Sequence, residues 1–360
     1  MSVRYRVRVA FLDVGQGATT VVSIPETGEA VVIDCLDADS ALTYLKDEGI
    51  TRVRGLLITH LHLDHYAGAL RFLENCALRL KVDCERLVLN WCIPSVSHFA
   101  SGPLSQDDHS DGSVPAEIRA SRRKTVLQNL SRWVNSHRDT KPLSVMPAGG
   151  PLLPGSVNDV LELIHPLYNQ QPTLQMIGYN NTCGVLKIRG LGTSALLTSD
   201  IEPQGWRVLL ENGGIVQSDV LSFPHHGAWK GADAGALLDA VAPSIVVISV
   251  GTEGEKYQHP GARVFHALRE RPFIRLMCTQ ATRACETGVE DTRAAIVALL
   301  RSQTHHRDFI GSKTGCPCAG TIIIDLDERV RVVQPDLDFH RRSIIEPHFR
   351  THQCHCDTED

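Results

Sequence analysis

The stretch that most limits this chain is Gly55-Leu56-Leu57-Ile58-Thr59 running into His60-Leu61-His62-Leu63-Asp64-His65. An apolar run with a β-branched residue reads as a buried strand, and the residues after Gly68 have helical spacing. Four ligand-type side chains therefore sit on a strand-to-helix connection, where a rigid scaffold can aim them. His60 and His62 stand two apart; Asp64 and His65 follow directly and can face the other way. One loop can thereby serve two metal ions, a His pair for one and an Asp-His pair for the other. Seventeen histidines in 360 residues make a chance cluster conceivable. Yet polar groups crowded at a strand mouth cost stability unless they have partners, so a metal site is the stronger reading.

Length allows one large α/β core with insertions. No apolar run reaches the roughly 20 residues of a membrane-spanning helix. At the N-terminus Val3, Tyr5, Val7 and Val9 alternate with Arg4, Arg6 and Arg8, a strand pattern without the apolar core of a signal peptide. A soluble, cytoplasmic protein with no membrane partner is the expectation. The net charge of −5 gives no global attraction to nucleic acid, which leaves room for a local basic patch. Eleven cysteines without an export signal point to thiols or metal ligands rather than a disulfide framework.

Strands are expected at 5–12, 29–34, 87–90, 143–147, 159–165, 219–223 and 245–250, with a last one at 321–325. Segments 184–189 and 194–198 read as a hairpin around Gly190-Leu191-Gly192. Helices are expected at 40–48, 68–80, 204–212, 233–241 and 261–270. Residues 93–115 are rich in Ser, Asp, Gly and Pro, the composition of a long loop or lid. Residues 117–138 recover a helix with Val126, Leu127, Leu130, Trp133 and Val134 on one face. That helix also carries Arg119, Arg122, Arg123, Lys124, Arg132 and Arg138. A solvated charged face explains them; a patch for substrate phosphates is the functional alternative. Strand–helix alternation in two halves indicates two packed sheets with helices outside.

The motifs together resemble a family. His60-x-His62-x-Asp64-His65 is similar to the metal-binding motif of metallo-β-lactamase-fold hydrolases. Phe11-Leu12-Asp13-Val14-Gly15-Gln16-Gly17, Leu196-Leu197-Thr198-Ser199-Asp200, Phe223-Pro224-His225-His226-Gly227 and Gln258-His259-Pro260 narrow the match. Their order resembles the soluble hydrolase domain of ComEC-type competence proteins, over about residues 5–325. The resemblance implies a four-layer αββα sandwich. On that basis the domain takes residues 1–335, with insertions at about 92–140 and 279–318, and residues 336–360 form a C-terminal tail. Competence proteins of this type carry membrane channels, and this sequence shows none.

The resemblance also assigns roles. Asp200 would bridge two divalent ions, zinc or manganese; a helix N-cap is the alternative, and the position at a strand exit favours the bridge. Asp34 and Asp13 would support the metal loop, with turn chemistry as the alternative. Asn181 stands where the fold family usually places a histidine, and its amide oxygen would suit manganese; His165 is a further candidate. Ala18 and Ser199 replace an acidic residue and a glycine common in the family. His259 would hold a phosphate or protonate a leaving group. Between the adjacent histidines, strand-exit position favours His225 as the ligand beside Asp64 and His65, with His226 facing substrate as a catalytic residue. Lys230 joins the substrate-binding candidates. Cys278, Cys285, Cys316 and Cys318 bracket one excursion and could close a structural zinc site, or be unrelated buried thiols. His352, Cys354, His355 and Cys356 sit in a tail read as disordered.

The resulting expectation is a dinuclear metal-dependent phosphodiester hydrolase. Its likeness implies DNA as substrate, single-stranded favoured, attacked by a metal-bridged hydroxide. Small phosphodiesters such as cyclic nucleotides or phosphocholine, and other bonds cut by the same fold, are the alternatives. A metal-stabilised binding module without turnover is the third. A free nuclease endangers its host, so the 93–115 loop or the tail is expected to restrain it until a regulatory protein or protease acts.

Overall fold

Along strand β1 (Val7–Phe11), Val7, Val9 and Phe11 enter one buried layer while Ala10 enters another. That period-two division recurs through the sheets and builds three cores rather than one. The computed structural model describes residues 5–90, 116–137, 143–145, 152–167, 178–252, 259–282, 296, 298–299 and 315–348. The 93–115 loop, Cys285 and the His352–Cys356 cluster lie outside that set.

Two mixed sheets face each other. The first contains β1, β2 (Thr20–Ile24), β3 (Glu29–Ile33), β4 (Arg52–Ile58), β5 (Leu87–Leu89), β6 (Leu143–Val145), β13 (Ile322–Leu326) and β14 (Val330–Gln334). Their spatial order is 14-13-1-2-3-4-5-6, and β3 to β6 run parallel. The second contains β7 (Leu161–His165), β8 (Val185–Arg189), β9 (Ser194–Leu197), β10 (Val220–Ser222), β11 (Ile245–Ile248) and β12 (Arg275–Cys278), in the order 12-11-10-9-8-7. Here β9 to β12 are parallel.

Between the sheets lie Val9, Val31, Leu57, Val88, Leu186, Leu197, Val220 and Val247, among others. Helices α1 (Ala38–Asp47), α2 (Leu63–Tyr66), α3 (Ala69–Leu80) and α4 (Ala116–Ser136) close the outer face of the first sheet around Val32, Leu56, Ile58, Phe72 and Leu127. Helices α5 (Pro203–Glu211), α6 (Ala234–Val241) and α7 (Ala262–Arg269) close the second around Leu196, Leu221, Val246, Leu238 and Leu268. Each fully buried aliphatic contributes about 1.5–3 kcal/mol relative to exposure. This is the expected αββα sandwich. No helix among the described residues is long and apolar enough to cross a membrane.

Helix α4 buries Leu127, Leu130 and Trp133 against the first sheet, as its spacing requires. Lys124 is exposed on it; the side chains of Arg119, Arg122 and Arg123 lie outside the described set. Strands β2, β12 and β14 add to those expected from sequence. In β2 every residue is buried, Thr20 and Ser23 included, so the polar alternation that marks a half-buried strand is missing. Residues Leu337–Phe339, His340–Ile345 and Glu346–His348 fall in the stretch read as a tail. They form consecutive helical turns, with His340, Ile344 and Ile345 buried.

The β8–β9 hairpin locks the two sheets together. Gly192 N donates to Asp327 O at 3.0 Å, as does Thr193 Oγ1 at the same length. Gly190 packs so closely on β13 that a Cβ there would meet Leu326 O at 2.4 Å. Backbone occupies that space and cannot swing aside. Gly190→Val should therefore destabilise the fold by about 1–3 kcal/mol, read as a lowered midpoint in urea unfolding.

Candidate metal centre

The carboxyl ends of parallel strands from both sheets converge on one point, the place where open parallel sheets carry ligands. Asp34 follows β3, Thr59 and His60 follow β4, Ser199 and Asp200 follow β9, and His225 and His226 follow β10. The backbone there is bent. Among described non-glycine residues with positive φ are Asp34 (55°), Ser199 (49°), His225 (49°) and His226 (53°). Such conformations cost energy and persist where the surroundings over-determine them, as at functional sites. Ser199, at the position where the resemblance expects a glycine, takes such a φ.

Two donor sets meet at Asp200. His60, His62 and Asp200 form one; Asp64, His65, Asp200 and His226 form the other, with ligand atoms in each set within 4.8 Å of one another. His65 Nε2 lies 3.2 Å from Asp200 Oδ1, and His226 Nε2 lies 3.4 Å from Asp64 Oδ2 and 3.6 Å from Asp200 Oδ1. His60 Nε2 is 3.6 Å from Asp200 Oδ2. Donors at about 2.0–2.2 Å from a shared ion are roughly 3.3–3.6 Å apart at a tetrahedral angle. The observed separations fit that requirement. Moreover, the Nε2 atoms of His60, His62, His65 and His226 and Oδ1 of Asp200 are buried without a hydrogen-bond partner. Such orphans are costly unless an ion satisfies them.

Behind three of the imidazoles, a second bond fixes the tautomer. His65 Nδ1 donates to Asp34 Oδ2 at 2.7 Å. Asp34 also accepts from Thr59 N at 2.8 Å and from Thr59 Oγ1 at 2.7 Å. With its proton committed to Asp34, the Thr59 hydroxyl is an acceptor toward His60 Nδ1 at 3.2 Å and Ser199 Oγ at 2.7 Å. His226 Nδ1 donates to Ser249 O at 2.7 Å. His60, His65 and His226 thus each turn a bare Nε2 inward, the arrangement that orients metal-binding imidazoles.

The electrostatics follow from burial and crowding. Burial, with His60 beside it, pushes His62 well below the ordinary histidine range. Burial also opposes charge on His65, but Asp200 and Asp34 outweigh it and raise this ring. Asp64 and Asp200 resist burial because the surrounding imidazoles hold both carboxylates below their usual range.

The structure departs from the sequence reading at several positions. His226, rather than His225, joins Asp64 and His65. The left-handed turn through Pro224–Gly227 aims His226 inward. His225 stands outside both donor sets, its Nδ1 3.7 Å from Glu202 Oε1 and its Nε2 3.8 Å from Asp200 Oδ2. Asn181 is fully buried, and its Oδ1 accepts from Gly205 N at 2.6 Å, which caps α5 instead of facing an ion. His165 Nε2 donates to Asn181 O at 2.8 Å, and burial pushes its pKa down to about 4. Asp13 accepts from Gln280 Nε2 at 2.7 Å and fastens the turn after β1. That turn matters indirectly. Gly17 (φ +143°) lies where a Cβ would come 2.5 Å from Asp64 O, and Ala18 N donates to the same oxygen at 3.0 Å.

His259 is partly buried, with its ring 5.9 Å from that of His225. Lys230 is exposed nearby. Cys278, Cys316 and Cys318 are buried thiols, and Cys318 Sγ lies 3.7 Å from His340 Nε2. Among the described residues they do not form a metal-binding group. Sequence reasoning missed Thr59, Ser199, Tyr179 and Asn90. Tyr179 OH accepts from Leu61 N at 3.2 Å, and Asn90 Nδ2 donates to Thr59 O at 2.8 Å and Thr182 O at 2.5 Å. Only the position of Thr59, directly before the histidine loop, could have signalled its role.

Residues 12–81 match the model of the Metallo-beta-lactamase superfamily, a segment that holds Asp34 and the whole His60–His65 loop. That segment matches a metallo-beta-lactamase superfamily domain. Members of that superfamily are in general metal-dependent hydrolases, and the donor sets fit divalent ions. ComE operon protein 3 of Bacillus subtilis (strain 168) is 25% identical over 292 residues, which takes in 75% of this chain and 31% of that protein. The chain thus spans less than a third of that relative's length. Among solved structures, the metallo-beta-lactamase fold protein YhfI from Bacillus subtilis is 11% identical with a TM-score of 0.43, covering 76% of this chain and 96% of its own. Human tRNase Z, short form, is 14% identical with a TM-score of 0.35, covering 67% and 90%.

In this domain Asp34 acts through other side chains. Asp34→Ala should lower divalent-metal affinity about 10–100-fold, measured by competition with a chromogenic chelator. Unchanged affinity would remove Asp34 from the centre's support.

Proposed function

We propose that the chain is a dinuclear metal-dependent phosphodiester hydrolase that cuts DNA, single strands in preference to duplex. The observation that carries the hydrolytic reading is the pair of buried donor sets sharing Asp200. Support for DNA comes from the motif order that resembles ComEC-type hydrolase domains.

His60, His62, Asp64, His65, Asp200 and His226 would hold two ions, zinc or manganese, both compatible with imidazole and carboxylate donors. The chemistry such ions supply when bound is Lewis acidity: an acidified water and charge neutralisation on a phosphoryl oxygen. The chain's own residues do the rest. Asp34, Thr59 and Ser249 O hold the imidazole tautomers. Burial, with His226, His225 and Lys230 adding to it, pushes His259 down to about 4. At neutral pH this ring is therefore uncharged, and it serves as an N–H donor to a phosphate oxygen rather than as a proton source. Lys230 adds positive charge on the same side.

The test is incubation of purified protein with labelled single-stranded and duplex DNA, in manganese or zinc, beside Asp64→Ala. Expected are cleavage by the wild type, faster on single strands, and loss of at least about 100-fold in the variant, since a ligand to the ion is removed. Intact DNA with hydrolysis of bis(4-nitrophenyl) phosphate would shift the substrate to small phosphodiesters. No hydrolysis of either would contradict the reading.

A further inference from the structure

Three of the four imidazoles in the donor sets are held from behind by hydrogen bonds: His60 by Thr59, His65 by Asp34 and His226 by Ser249 O. His62 is the exception. Its Nε2 is buried, and among the described residues its ring makes no hydrogen bond. An imidazole turns easily about the bond to its Cβ, because that torsion has broad wells. A ligand must nevertheless be held within about 0.5 Å and 10–20° of its working geometry. For His62 that restraint has to come from packing.

Two rings supply it. The His60 ring lies 4.6 Å from that of His62, edge-on at 68°. On another side the Tyr179 ring lies at 5.3 Å, tilted by 41°. Both separations fall in the roughly 4.5–7 Å range of packed aromatic pairs. His60 is itself a donor, so Tyr179 is the wall that the rest of the chain provides. It is well anchored. Its hydroxyl accepts from Leu61 N, one residue before His62, at 3.2 Å. Its carbonyl accepts from Thr182 N at 3.0 Å and from Thr182 Oγ1 at 2.7 Å. Its ring also packs on the outer core of the first sheet. The segment that carries it is tied to the base of the histidine loop, where Gly184 N and Asn90 Nδ2 both donate to Thr59 O. Tyr179 and the loop therefore share one frame.

We infer that Tyr179 is the positioning residue of His62: its ring does by packing what hydrogen bonds do for the other three imidazoles, and it sets how firmly the His60–His62–Asp200 set holds its ion while leaving the other set alone. That set has three donors against four in the other, so a displaced His62 costs it a larger share of its hold. The inference rests on the reading of two ions in two donor sets and names the residue on which one of them depends.

The experiment is titration of metal-stripped, full-length protein with cobalt(II), followed by visible absorption and by competition with a chromogenic chelator. His62→Ala marks which binding step belongs to its set. Tyr179→Leu should weaken that step about 10–100-fold, the usual cost of losing a residue that orients a ligand, and leave the other step in place. Tyr179→Phe keeps the ring and should restore most of the affinity. Unchanged binding in Tyr179→Leu, or equal weakening of both steps, overturns the inference. Thermal melts verify folding. A measurement on the metal-free wild type needs no variant: through-space NMR contacts between the Tyr179 and His62 rings, with one orientation of His62, are expected, and their absence overturns the inference too. Two ions bound with Tyr179 indifferent rejects the role of Tyr179 and keeps the dinuclear reading. A single ion in the wild type rejects the dinuclear reading; the inference falls with it if His62→Ala leaves that ion bound, and is decided by Tyr179→Leu if His62→Ala removes it.

Discussion

Asp34 is the carboxylate on which both halves of the centre depend. It follows β3 with φ 55°, a conformation open to an aspartate whose side chain hydrogen-bonds its surroundings. Its anchors are the backbone and hydroxyl of Thr59 and the Nδ1 of His65. One oxygen orients His65 directly and reaches His60 through the Thr59 hydroxyl. A buried carboxylate without partners would be strongly disfavoured; here each accepted bond also aims a donor. The same contacts that make Asp34 tolerable in the core make the imidazoles usable.

The sandwich explains why such a site needs two sheets. The first supplies the histidine loop on its parallel strands β3 and β4. The second supplies Asp200 and His226 from β9 and β10. The 2.7 Å contact between Thr59 Oγ1 and Ser199 Oγ crosses from one sheet to the other. The backbone bond from Gly184 N to Thr59 O at 3.0 Å reinforces that seam, while that from His225 N to Ser199 O at 2.9 Å ties the ends of β9 and β10 together within the second sheet. The hairpin at Gly190 closes the opposite end on β13. Displacing either sheet by a fraction of an ångström would separate Asp200 from one donor set, so packing far from the centre sets its geometry.

Much of this was legible in the sequence. The apolar run ending in His60–His65 marked strand, loop and donors at once, because metal ligands at a strand exit have few other uses. Alternating aliphatics in β1, β3 and β4 and the helical spacing of α3, α4 and α7 announced the layers. The errors have physical causes. His225 and His226 differ by one residue, and which ring points inward depends on a left-handed turn that residue types alone do not specify. Asn181 occupies a ligand's position by resemblance, yet its amide oxygen is committed to Gly205 N. Ser199 and Thr59 are ordinary polar residues whose importance comes only from what the fold places beside them. Strand β2 hides its nature because both of its faces are buried.

The shared role of Asp200 is the central claim, and anomalous diffraction from crystals grown with manganese or zinc tests it most directly. Two peaks about 3.5–4 Å apart are predicted, one beside Nε2 of His60 and His62, the other among Asp64, His65 Nε2 and His226 Nε2, with Asp200 between them. A single peak, or a second ion bound by His225 or Asn181 in place of His226, would contradict it.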